Sequence, residues 1–313
     1  MSVRADRRKT CRVLSLADHT FFEEHGYVLV CNAVPAEYAA RMEIATWDFI
    51  QMDPADRATW YHPKHGGMVQ CYQLQAQWDN RSHPRVHQAF ADLWGTERLW
   101  TSFDMSHMKP PARPEDEAAG FCHWDLGEQI LRQPLHLRVQ GELLLRDMTP
   151  DAGGFQCVPG FHREVPAWIR GRAEGDAGMP AADSPAMEGF ELKHVEGKAG
   201  DLLIWHSFLP HGSCRNNSDE PRMMQLISMS PCDAHTTFNS NYVGDKVLGL
   251  EAERSRRIAL WREQLHVASF DSAWDPAAPY RTTGFGGERD LVPGPPARLS
   301  PLGERLLGLA PWE

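Results

Sequence analysis

Apolar positions change their period along the chain. Ser15-Leu-Ala-Asp18 has the form of a helix start, with a capping hydroxyl and an acid three residues on, and Gly26 has the form of a stop. Tyr27-Val-Leu-Val30 is a short apolar run that predicts a strand. Tyr38, Met42, Ala45 and Phe49 recur at helical spacing and predict a helix between Pro35 and Met52. A second helix is predicted from His83 to Leu93, closed by Gly95. The first hundred residues are therefore expected to be mainly helical.

From Leu99 to about Ser230 the pattern shortens. LWTSFDMSHM, LHLRVQGELLL, FQCVPG, DLLIWHSFL and RMMQLISMS are separated by Pro110-Pro111, Pro150-Asp-Ala-Gly-Gly154, Pro159-Gly160 and Asn216-Asn217. Many short strands at such intervals predict an antiparallel sandwich or barrel. Gly171 to Gly189, rich in Ala, Gly and Pro, reads as a surface insertion that could cover a site. A further helix is predicted from Leu250 to about His266, with Arg254, Arg256 and Arg257 on a solvated face. The tail from Asp275 is rich in Pro and Gly, and its LLGLAPW segment is apolar enough to dock. With no internal repeat and no clean linker, one domain over 1–313 is expected. Its parts are a helical portion (about 12–98), a strand-rich core (about 99–231) and a C-terminal helix and tail (about 232–313).

Composition narrows the function. Of 313 residues, 42% are apolar and 24% charged, enough to bury a core and too many apolar to leave the chain disordered. No apolar run reaches the roughly 18 residues that span a bilayer, and no apolar stretch follows the basic MSVRADRRKT, so a cytoplasmic protein without membrane contact is expected. A net charge of −10 argues against nucleic acid as partner. The seven cysteines are widely spaced, which removes CxxC zinc, iron–sulfur and redox motifs and predicts reduced, mostly buried thiols. There is no GxxxxGK[ST] phosphate loop and no GxSxG elbow.

Histidine chemistry remains. In a strand, residues i and i+2 face one side, so His-x-acid presents an imidazole and a carboxylate to one point. Three such pairs occur: His123/Asp125, His162/Glu164 and His194/Glu196. About two are expected by chance, so the motif alone is weak. A second segment, Gly200-Asp-Leu-Leu-Ile-Trp-His-Ser-Phe-Leu-Pro-His211-Gly-Ser213, adds weight because Arg222 follows it. If a hairpin turns at Asn216-Asn217, His211 faces Arg222 across two strands at about 5 Å. A metal-bound histidine beside an arginine suits a chelating dicarboxylate, one end on the metal and the other on the guanidinium fork. Two histidines and a carboxylate on one face leave three open positions on an octahedral ferrous ion.

Here the sequence resembles the phytanoyl-CoA dioxygenase family, within the iron- and 2-oxoglutarate-dependent oxygenases. The matching pieces are FFEEHGYVLV, MKPP, His123-Trp-Asp125, DAGGFQCVPGFHR, GDLLIWHSFLPHGS, Arg222 and LSPLGERLLGL. The resemblance implies a mainly β fold with flanking helices, built on a double-stranded β-helix (jelly-roll, cupin-like) core. It also implies Fe(II) as cofactor, with 2-oxoglutarate and O2 as cosubstrates. Carried over by residue, His123, Asp125 and His211 match the metal ligands, Arg222 the cosubstrate clamp and Ser213 the serine beside it. Met105 matches a position lining the cosubstrate site. A lysine used by some members has no counterpart, and Met68-Val-Gln70 falls near its place. Halogenating relatives lack the carboxylate ligand, so Asp125 favours hydroxylation, desaturation or ring chemistry.

Other residues have plainer readings. His206, five residues before His211, should point to the opposite face of a regular strand. His162 and Glu164 follow a Pro-Gly turn and read as exposed loop polarity; Trp94, Trp124 and Trp205 read as packing. Gln140 and Glu142 share a face of one strand, facing either the interior or solvent. A small-molecule substrate is expected, with an amino-acid or lipid-like acid as alternatives, in a monomer or homodimer. The rival class is a jelly-roll metal protein without oxygenase activity, either a cupin-like isomerase or a ligand-binding module, which would leave Arg222 without a role.

Overall fold

The computed structural model describes residues 13–61, 67–116, 122–123, 138–170, 188–232, 250–265 and 295–312. The first helix spans Leu16–His25. The Ser15 hydroxyl accepts from the Asp18 N–H and the Asp18 carboxylate accepts from the Ser15 N–H, so two orphan donors are satisfied reciprocally. Gly26 ends the helix at φ 82°, where a side chain would strain the backbone and strike the His162 ring. Helices Ala36–Ile50 and Pro84–Trp94 follow the expected periodicity, and Gly95 closes the latter at φ 70°. Helices Gln75–Arg81 and Val165–Arg170 are too short to leave a periodic signature and were not anticipated.

Eleven short strands occur among the described residues: β1 Tyr27–Val30, β2 Met68–Val69, β3 Leu99–Thr101, β4 Ser106–Lys109, β5 Val139–Leu144, β6 Phe155–Cys157, β7 Lys193–His194, β8 Leu202–His206, β9 His211–Ser213, β10 Arg222–Leu226 and β11 Met229–Pro231; all but β2, β7 and β9 follow the predicted apolar runs. They form a six-stranded sheet ordered β1-β8-β5-β10-β4-β2, a three-stranded sheet β7-β6-β9 and a β11-β3 pair. All the described ladders are antiparallel. Because β1 and β2 join the large sheet, the first hundred residues supply strands as well as helices. The architecture is mixed α/β with antiparallel sheets, not mainly β.

One face of the large sheet is dry. Met108, Leu143, Ile204 and Met223 share an apolar cluster with Met42 and Phe49 of helix Ala36–Ile50 and Phe90 of helix Pro84–Trp94. Alternate residues of the same strands (Glu142, Trp205, Arg222, Met224) turn the other way, toward the three-stranded sheet.

The postulated hairpin is not there. β9 pairs with β6, while β10 lies between β4 and β5 and sets Arg222 opposite Lys109. Asn216 is the cause. It is fully buried, its amide donates to the Lys109 and Glu220 carbonyls and its oxygen accepts from the Ser218 N–H, so the chain steps between sheets instead of turning back.

The arginine run of helix Leu250–Glu263 is also not the solvated face expected. Arg256 and Arg257 are each 3% exposed. Arg257 donates to the carbonyls of Thr101, Leu306 and Leu307, and its guanidinium lies over the rings of Trp100 and Phe103. Arg254 donates to those of Gly308 and Leu309. Apart from that of Thr101 in β3, these carbonyls belong to the C-terminal end of helix Pro301–Leu307, which has no intrahelical donors left for them. The tail docks as anticipated, with Leu306 and Leu307 buried and the Trp312 indole donating to the Leu99 carbonyl at 3.0 Å. Arg257→Ala should therefore destabilise the fold by on the order of 3 kcal/mol, because several buried carbonyls lose their donor together. Urea unfolding of the variant checks this, and Arg257→Lys should recover only part of the loss because one ammonium cannot span the same acceptors.

None of the six described cysteines forms a disulfide, and burial pushes the Cys71 thiol up to about 12, in keeping with inert thiols. Cys11 lies outside the described residues, as does nearly all of Gly171–Gly189.

Candidate active site

A cavity of about 290 Å³ lies between the two sheets. The large sheet contributes Gln140 and Glu142 from β5, Trp205 from β8, and Arg222, Met224 and Leu226 from β10. The small sheet contributes Phe155 from β6 and His211, Gly212 and Ser213 from β9.

His123 and His211 meet across an isolated antiparallel bridge, exchanging backbone hydrogen bonds of 2.7 and 2.8 Å. Their ring centroids are 4.6 Å apart. The His211 imidazole is 6% exposed and stacks on Phe155 at 5.6 Å with an interplanar angle of 12°. Its Nδ1 lies 2.8 Å from the Leu209 carbonyl, which can only accept, so Nδ1 carries a proton and, in the neutral ring, Nε2 keeps its lone pair. A neutral imidazole with its outer nitrogen anchored to a carbonyl is the state in which histidine ligates a metal. Asp125 and Trp124 lie outside the described residues. Among the described residues no three His, Cys, Asp or Glu side chains gather in a metal-holding group.

Arg222 is 3% exposed. Its Nη1 donates to the Gly153 carbonyl, while Nε, sealed from solvent, has no acceptor among the described residues. A buried guanidinium with an unfilled donor calls for an anion. Burial lowers its pKa, and the nearby Glu142 carboxyl opposes that shift. Glu142 is itself 3% exposed; burial raises its pKa to about 7 and Arg222 pulls it back. Lys109, opposite Arg222, has its pKa lowered by burial and then by the guanidinium.

Ser213 lines the cavity beside His211. Met105 does not line it among the described residues; it is 4% exposed in a core cluster with Tyr72, Trp78 and Phe103. Met105 stands just before β4, so strand alternation does not set its direction, and Asp104 and His107 occupy the wall instead. Met68 lines the cavity from β2, opposite His107. Alternation against the buried Met108 was the available signal for His107; Asp104 left none.

The remaining histidines sort differently. His206 is absent from the described wall. Its ring faces Phe22, His162 and Phe208, Nδ1 accepts from the Phe208 N–H at 3.0 Å, and burial followed by His162 lowers its pKa to about 3. His162, read as exposed, is 7% exposed. The turn at Gly160 runs into a 3-10 turn, Phe161–Arg163, that tucks the ring against the end of helix Leu16–His25, where it donates to the Glu23 carbonyl at 3.3 Å. His194 and Glu196 are exposed. Trp94 donates to the Met229 carbonyl and is packing, whereas Trp205, buried in the wall, contacts the His211 ring at 5.1 Å.

The family model for phytanoyl-CoA dioxygenase (PhyH) matches residues 22–224. A Dictyostelium discoideum protein named for the phytanoyl-CoA dioxygenases is 24% identical over 276 residues, covering 71% of this chain and 76% of its own length. The Ava biosynthesis cluster protein O of Aspergillus versicolor is 25% identical over 255 residues, 67% of this chain and 76% of that protein. Among solved structures, the epimerase SnoN in complex with Fe3+, α-ketoglutarate and nogalamycin RO aligns with a TM-score of 0.52 at 19% identity, covering 69% of this chain and 83% of the other. The GlcNAc Inducible Gene 2 protein of Candida albicans aligns at 0.64 and 13% identity over 99% and 79% of the two chains. At these identities the structural likeness is one of fold. No helix among the described residues is long and apolar enough to cross a membrane.

Proposed function

Since the chain belongs to the phytanoyl-CoA dioxygenase family, we propose that it is an Fe(II)- and 2-oxoglutarate-dependent dioxygenase that hydroxylates an unactivated C–H of a small organic metabolite. The observation that carries the reading is the pairing, in one cavity, of two adjacent imidazoles with a buried guanidinium whose Nε lacks an acceptor among the described residues. His123, Asp125 and His211 would hold the iron, and Arg222 with Ser213 the far carboxylate of 2-oxoglutarate. Met105, behind the wall, would act through packing. When bound, iron and 2-oxoglutarate supply the activation of dioxygen, with succinate and CO2 released. The chain's own share is geometric and electrostatic. The Leu209 carbonyl fixes the His211 tautomer, Phe155 and Trp205 screen that ring from water, and Gly153 orients the guanidinium.

The sheet order and the family together support a double-stranded β-helix core in a single oxygenase domain. A cytoplasmic enzyme acting on a small molecule, without nucleic acid or membrane partner, fits the acidic composition. The rival, a jelly-roll metal protein without oxygenase activity, leaves the buried guanidinium unexplained.

The test is succinate formation. Purified protein given Fe(II), 2-oxoglutarate and O2 should release succinate slowly, and faster when the right compound from a metabolite panel is added. No succinate under any condition, with no binding of 2-oxoglutarate, would favour the rival.

A further inference from the structure

Glu142 has no part in the chemistry above, yet it stands in the cavity wall within electrostatic reach of the cosubstrate clamp. We propose that Glu142 takes up one proton from solvent when a dicarboxylate enters the cavity, so that 2-oxoglutarate binding at Arg222 is coupled to pH through this carboxyl. The inference rests on the oxygenase reading and concerns a residue which that reading leaves idle.

The argument starts from burial. Glu142 lies on β5 between Leu203 of β8 and Leu226 of β10, two apolar neighbours that offer its carboxyl no hydrogen bond. Among the described residues it makes no ion pair or hydrogen bond at contact distance. The charge that opposes its desolvation is that of Arg222. An incoming carboxylate takes over that guanidinium. Glu142 would then be a second anion in the same water-poor space, and two neighbouring carboxylates in such a space do not both stay ionised. Protonation relieves the repulsion and gives the cavity an acid O–H that can donate. No bond to carbon is made or broken, and the buffer supplies the proton.

The direction follows from linkage. Burial already places the Glu142 pKa at about 7 while Arg222 holds it down. Engaging Arg222 removes that restraint and raises it further, so the bound state carries more protons than the free state near neutrality. Affinity for 2-oxoglutarate is then highest below pH 7 and weakens as pH rises above it. Other ionisable groups face the same space: Asp104 and His107 by β4, His123 and His211 at the bridge, and Arg222 itself. Lys109 of β4 and Cys214 after β9 also reach Arg222 electrostatically. A Glu142 variant is needed to separate its contribution from theirs.

The experiment is anaerobic calorimetry of 2-oxoglutarate binding to the Fe(II)-loaded protein at pH 6, 7 and 8, in buffers of different ionisation enthalpy. For the wild type, affinity should fall by up to about tenfold between pH 7 and 8, with close to one proton absorbed per ligand at pH 8. Glu142→Gln, of the same shape and without charge, should absorb none and keep its affinity within about twofold over the range. A wild type with flat affinity and no proton uptake overturns the proposal. So does a glutamine variant with the wild-type slope, which would assign the proton to one of the histidines. Absence of binding at every pH would instead remove the oxygenase reading, and this inference with it.

Discussion

Arg222→Ala is expected to raise the KM for 2-oxoglutarate by roughly 30- to 1000-fold with little change in kcat. The guanidinium is buried and its Nε has no acceptor among the described residues, so a carboxylate arriving there gains a charge-assisted contact in a water-poor cavity. Truncation leaves that carboxylate unpaired, at about 2–4 kcal/mol. The far carboxylate does not react, so its contact is the same before and during the chemical step, and the loss falls on binding. Arg222→Lys should restore only part of the affinity, because a point charge cannot reproduce the planar fork and its reach to the Gly153 carbonyl. Steady-state kinetics with 2-oxoglutarate varied at saturating substrate decide it. An alanine variant with wild-type KM would remove the main reason for choosing this cosubstrate.

His211→Ala and Asp125→Ala are each expected to abolish tight Fe(II) binding and coupled turnover, whereas His206→Ala should leave metal affinity close to wild type. On the proposed assignment the carboxylate would supply the negative charge that two neutral imidazoles lack, and a ferrous ion held by one imidazole fewer would lose a third of its protein ligands. His206 packs instead among Phe22, His162 and Phe208, away from the described cavity wall. Its loss should appear as a lower unfolding temperature, from a void in the core. Metal titration and thermal melting of the three variants separate the roles. If His206→Ala loses iron and His211→Ala does not, the ligand assignment is wrong.

What could be read in advance divides by the range of the interaction. The helix Leu16–His25 was legible because Ser15, Asp18 and Gly26 settle its ends within a dozen residues. Strands β4, β5, β8 and β10 were legible because each apolar run is bounded by turn chemistry. The pairing of β9 with β6 was not, because it depends on where a buried Asn216 sends the chain, and an Asn-Asn pair looks the same in a tight turn as in a wider loop. Arg256 and Arg257 were misplaced because a run of charges carries no mark of the carbonyls some fifty residues away that draw Arg257 inward. Gln140 and Glu142 were known to share a face, but only the partner sheet decides whether that face is wet. The residues expected at the site divide in the same way. His123, His211, Ser213 and Arg222 line one cavity, Met105 sits in the core beside it, and Asp125 is outside the described residues.

The hold that Arg254 and Arg257 take on the end of helix Pro301–Leu307 is made to main-chain oxygens alone. Every amino acid carries such an oxygen, so the acceptors persist whatever side chains occupy that end of the helix. The two sides of this joint therefore differ in their freedom to change. On one side the hydrogen bonds ask only that the backbone keep its path; on the other they ask for a planar fork with several donors, which no other side chain supplies. A random library over residues 306–309 and one over 254 and 257 should accordingly diverge. The first should be limited by space and, at Gly308, whose φ of 96° lies in the left-handed region, by backbone strain; the second should be limited by chemistry.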